Sequence, residues 1–149
     1  MKRLILLSIM MLPFMAMAQL PHFSKIVDKY NESEGVIAMT VNKQMIEMFA
    51  GDNKDFDFVD EVQILLSENT ETAKSIVDDA KKAVKKSKVE ELVSANEDGA
   101  TFTIYTNKRD DIITHLVIVV ENDSPSGFIV ITGQITEDKI NEVVKIVNM

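Results

Sequence analysis

The strongest run of apolar positions is Ile112-Ile113-Thr114-His115-Leu116-Val117-Ile118-Val119-Val120. Seven of its nine residues are apolar and most are β-branched, which suits a pleated, packed strand and costs rotamer freedom in a helix. Both alternating sets are mainly apolar: Ile112, Leu116, Ile118 and Val120 on one face, Ile113, Val117 and Val119 on the other. A strand with one wet face would alternate apolar and polar, so this pattern predicts a central strand covered at least partly on both sides. Turn-forming residues bracket it, Asn107 to Asp111 before and Asn122 to Gly127 after.

The rest of the chain divides by period. From Leu20 to Glu34, Phe23, Ile26, Val27 and Tyr30 form the stripe of an amphipathic helix that Gly35 can end. Val36 to Val41 reads as a strand. Asn42 is placed to cap a short helix whose apolar side holds Met45, Ile46, Met48 and Phe49. An acidic loop, Gly51 to Asp57, leads to a strand over Val62 to Leu66. Asn69 or Thr70 then caps the longest helix, which runs to about Lys86 with Ala73, Ile76, Val77, Ala80 and Val84 at core spacing. Its lysines, Lys81, Lys82, Lys85 and Lys86, complement the carbonyl end of the helix dipole.

Four strands follow: Glu90 to Ala95, Ala100 to Thr106, the apolar run, and Phe128 to Gln134. Asp98-Gly99 between the first two is a hairpin signal, because glycine supplies a positive φ. Thr136 caps a final helix with Ile140, Val143, Val144 and Val147 in register. The expected fold class is α+β. It is a two-layer sandwich whose mainly antiparallel sheet has about six strands, a C-terminal four-strand meander, and helices mostly on one face.

The N-terminus changes the domain count. Lys2 and Arg3, the apolar stretch Leu4 to Leu12 and Ala16-Met17-Ala18 form a signal peptide pattern, with cleavage expected after Ala18. Residues 1–18 are then a signal peptide and 19–149 a single domain. The apolar stretch is too short for a hydrocarbon core that needs about 20 residues. The chain has no cysteine, so it has no disulfide, no thiol chemistry and no lipid-attachment residue behind the signal. The expected product is exported, periplasmic or secreted, without a membrane span or lipid anchor. Its net charge is −8, becoming −10 once the two signal cations are lost. That surface repels nucleic acid and anionic headgroups, so no nucleic-acid partner is expected.

Val36 to Val41 with Lys43 and Met45, then Val62-Gln63-Ile64-Leu65, carry a family resemblance. So does the block from Glu91-Leu92-Val93 through Asp98-Gly99, Thr103-Ile104-Tyr105 and Leu116-Val117-Ile118-Val119 to Gly133-Gln134-Ile135. The chain resembles a family of small exported Bacteroidetes proteins defined only as a domain of unknown function, number four-two-five-two in that series. Many members look like lipoproteins, and this chain departs from them in lacking the cysteine. The resemblance implies an envelope or secreted location in a Gram-negative bacterium and brings no activity or site residues.

Candidate chemistry is sparse. Catalysis at neutral pH commonly uses histidine, and the chain has two, His22 and His115. His115 could act as a base beside Tyr105, although a histidine satisfied within the sheet explains it as well. Adjacent carboxylates (Asp78-Asp79, Glu90-Glu91, Asp110-Asp111) read as solvated surface. The segment Asp52 to Glu61 offers hard oxygen ligands for Ca²⁺. It fails the EF-hand pattern, with Phe58 where the glycine and Ile64 where the glutamate should stand, counted from Asn53. No metal, cofactor or catalytic residue is therefore assigned.

The expectation is a non-enzymatic exported module that binds a protein or envelope component, or a second copy of itself. The alternative is a small carboxylate- or metal-dependent hydrolase. The candidate interaction face holds Tyr105, Ile113, His115, Val117 and Val119. It is expected opposite the helices that carry Ile76, Val77 and Val84, and Ile140, Val143 and Val144, and to be closed by the first helix, a second copy or a partner; the alternative is complete coverage within the chain.

Overall fold

The computed structural model describes residues 20–51 and 56–140. The expected signal peptide, part of the acidic loop and the end of the final helix lie outside the described residues. The elements are α1 (Pro21–Tyr30), β1 (Val36–Asn42), α2 (Lys43–Ala50), β2 (Val59–Ser67), α3 (Thr70–Ser87), β3 (Glu90–Glu97), β4 (Ala100–Arg109), β5 (Ile112–Glu121) and β6 (Ser126–Ile135). Residues 137–140 begin a further helix.

Local chemistry places these elements. The Asn42 side chain accepts from the backbone N–H of Met45 at 3.0 Å and starts α2. Asn69 accepts from Glu71 at 3.0 Å and Thr72 at 3.2 Å and starts α3. α1 uses a different device. It has no side-chain cap, but Pro21 in its first turn has no N–H to leave unpaired. Asp98 and Gly99 both take positive φ, 54° and 87°, in the expected tight turn between β3 and β4.

All six strands form one sheet in the order β1-β2-β6-β5-β4-β3, and every neighbouring pair is antiparallel. The meander β3 to β6 is present as expected, and the β1–β2 pair joins it at β6. The strand Ile112 to Glu121 is thus one of the two central strands, with Val117 and Ile118 both fully buried. α1 and α3 lie together on one face. Their Phe23, Ile26, Ile76, Val77 and Val84 form a core with Leu65, Val117, Val119, Phe128 and Val130. The Phe23 and Phe128 rings meet edge to face at 5.2 Å in the middle of it.

The other face builds a second core from Val59, Ile104, Leu116, Ile118, Ile131 and Ile135. Ile46 of α2 and Ile140 pack against this second core, so Ile140 does not share the face of Ile76 as expected.

Candidate interaction surface

The residues expected to form the open face take three different positions. Val117 and Val119 are buried beneath α1 and α3, and Tyr105 packs against the same core. Of the coverings expected for this face, the protein's own helices are the ones present. Ile113 sits in the second core instead. The cause is a bulge: Asn107 faces His115 but Lys108 faces Ile113, which leaves Thr114 as the extra residue of β5. One extra residue reverses the side chains beyond it, so Ile113 and Val117 turn to opposite faces although four apart.

His115 is 3% exposed. Its Nδ1 lies 3.0 Å from the Thr114 hydroxyl, which also stands 3.2 Å from the Asn107 carbonyl as its donor. The bulge is thus tied down by side chains. Tyr105 stands opposite Val117, and His115 opposite Asn107. Burial first, then the Glu91 and Glu121 carboxylates, push the Tyr105 phenol above its usual range.

Among the described residues, the surface left open lies elsewhere. Along β2, Gln63, Leu65 and Ser67 are buried under the helices, while Val62, Ile64 and Leu66 are only half-buried on the second face. With Phe102, Val120, Pro125, Ile129 and Ile131 they line a cavity of about 510 Å³ whose rim is reached by Asp123. Beside it, β1 and α2 expose more apolar surface. Ile37 and Met39 of β1 are 43% and 49% exposed, and Met48 and Phe49 of α2 are 82% and 84% exposed. The short-helix pattern predicted α2 correctly, but only Ile46 of its apolar set turns inward to the second core. Exposed apolar surface gathered in this way marks an interaction site more often than scattered single residues do. The signal was present in Met45, Met48 and Phe49, but periodicity reads an apolar stripe as core wherever it occurs.

A second cavity, of about 440 Å³, lies between the first turns of α3 and the β5–β6 loop. It is polar, with Glu68, Asp78, Glu121 and Asp123 against Lys74 and Lys81. Lys81 forms an ion pair with Glu121, whose hydrogen bond raises the lysine pKa. The Ser126 hydroxyl donates to the Asp123 carbonyl at 2.5 Å and stands 3.1 Å from the Asp123 N–H as its acceptor.

The adjacent carboxylates diverge. Asp79 turns to α1 and accepts from the Tyr30 hydroxyl at 2.8 Å and Lys29 at 3.1 Å, whereas Asp78 faces the polar cavity. Burial alone would raise the Asp79 pKa. The hydrogen bonds from Tyr30 and Lys29, with the Lys29 charge, hold it below the usual carboxylate value. Among the described residues no three His, Cys, Asp or Glu side chains converge as a metal site would require. No helix among them is long and apolar enough to cross a membrane.

The family described as "Domain of unknown function (DUF4252)" matches the chain over residues 30–143. Neither a curated protein nor a solved structure matches it.

Proposed function

The chain belongs to the DUF4252 family, and we propose that it is an exported, non-catalytic interaction module of the bacterial cell envelope. The supporting observation is the outward side of α2, where Met48 and Phe49 are exposed on the helix whose Ile46 helps line the cavity over β2. Two large apolar side chains more than four-fifths exposed cost stability and solubility in a monomer, and a binding surface recovers that cost. Methionine suits such a surface because its flexible thioether adapts to irregular partners. Export is supported by the N-terminal charge, apolar and small-residue pattern.

The test uses Met48→Lys/Phe49→Lys as bait beside the wild type in pull-downs from native envelope, read by mass spectrometry. Loss of a reproducible set of captured components, with an unchanged circular dichroism spectrum, is the expected outcome. Identical captured sets from both baits overturn this surface. N-terminal sequencing of the protein from its host should begin at Gln19 or within a residue or two, and retention of Met1 overturns the proposed export with cleavage.

A further inference from the structure

The two edges of the sheet are built differently. β3, at one edge, carries Glu90, Glu91 and Glu97, and its register against β4 is broken between Glu91 and Val93. Acidic residues and a bulge are the usual means by which an edge strand resists pairing with another chain. β1, at the other edge, has neither. Its sequence, Val-Ile-Ala-Met-Thr-Val-Asn, holds no charge or proline. It pairs with β2 without a shift from Val36↔Ser67 to Asn42↔Glu61. Among the described residues nothing pairs with its outer side.

We propose that β1 pairs antiparallel, about a two-fold axis, with β1 of a second copy of this chain. The inference shares Met48 and Phe49 with the interaction surface proposed above but does not need a foreign partner. Charge does not oppose a second copy at this edge. In a chain of net charge −8, two copies approach best along a segment with no charge, and Lys43, the residue that follows the strand, is already 3.4 Å from Asp60. The side-chain pattern is self-complementary. With the axis at Met39, Ile37 faces Val41 of the second copy, so apolar residues meet on the same face of the joined sheet.

Area is sufficient as well. Ile37, Met39, Met45, Met48 and Phe49 together expose the equivalent of about three large side chains, or roughly 600 Å². Stable interfaces bury about 800 Å² per partner, and the strand backbone supplies the remainder. An isologous contact of this kind closes at two copies and leaves the acidic β3 edges outermost.

Sedimentation velocity of the purified protein from about 1 µM to about 100 µM should show a monomer converting to a dimer and no larger species. Met39→Glu sets two carboxylates on the axis and should abolish the dimer with the circular dichroism spectrum unchanged. Val93→Glu on the other edge should leave dimerisation as it is. Because the chain has no cysteine, Met39→Cys should give a covalent dimer under mild oxidation, and Val93→Cys should not. Overturning results are a monomer at every concentration, assemblies beyond two, a persistent Met39→Glu dimer, or no greater cross-linking at position 39 than at 93. A strictly monomeric protein whose captured partners depend on Met48 and Phe49 would end the self-pairing and leave the interaction module standing. A dimer whose captured set ignores them would do the reverse.

Discussion

Phe128 and Phe49 are the same side chain in opposite circumstances. Phe128, on the helix-covered face, has no exposed surface and meets the ring of Phe23 at 5.2 Å. Phe49, on α2 beside the open cavity, is 84% exposed. Around Phe128 two helices supply matching apolar surface, and the polar rim of that layer is tied by Tyr30, Lys29 and Asp79. Around Phe49 the described residues supply little. The covered face holds the fold together, and the open corner is free to be used for binding.

Truncation of the two phenylalanines separates these regions most strongly. Phe128→Ala should cost about 3–5 kcal/mol in chemical denaturation, because it removes a fully buried ring from a packed layer. Phe49→Ala should stay within about 0.5 kcal/mol of the wild type when both are measured at about 1 µM, where the protein is monomeric. Equal losses at both sites would mean that α2 is packed in solution and that the corner is closed.

A smaller effect is expected at the seam between β2 and β6. Gly127 has φ of 154°, and a Cβ built there would stand 2.0 Å from the Leu65 carbonyl oxygen. The obstacle is backbone and cannot rotate away. Gly127→Ala should therefore destabilise the protein by about 2–3 kcal/mol in the same denaturation assay. An unaffected midpoint would show that β2 and β6 are less closely apposed than the geometry requires.

The smallest change concerns the polar rim of the covered face. Asp79→Asn should cost about 1 kcal/mol near neutrality by weakening the contacts that join α3 to α1. The Asp79 carboxyl pKa is lower in the folded protein than its ordinary value of 3.8. Its contribution is therefore present above that value and lost as pH falls through the folded value. Urea midpoints of wild type and variant should converge between about pH 5 and about pH 2. A gap that persists in acid would assign the loss to packing rather than to the charge.

Much of this architecture was legible because it is local. The caps at Asn42 and Asn69, the Asp98-Gly99 turn, and the helical and strand periods follow from backbone donors, allowed φ and side-chain spacing within a few residues. The candidate surface was less legible. β5 is apolar on both faces, so its sequence satisfies either face being the covered one. Tyr105, Val117 and Val119 were expected opposite α3 and pack with it, and the bulge at Thr114 moved Ile113 to the other side. A bulge is one unpaired residue, and nothing in Ile113-Thr114-His115 announces it.

By itself the sequence determined the element order, the antiparallel meander, the central place of the β5 run and the absence of any cysteine chemistry. Each depends on composition or on contacts between near neighbours in the chain. Tertiary structure alone decided which face α1 and α3 cover, that β2 joins at β6, and that β1 is left as an uncharged edge. It also decided that Met48 and Phe49 face outward. The physical reason is that an apolar stripe specifies burial against something without specifying what. Only when the sheet order and the helix positions are set does one stripe find its cover while another goes without.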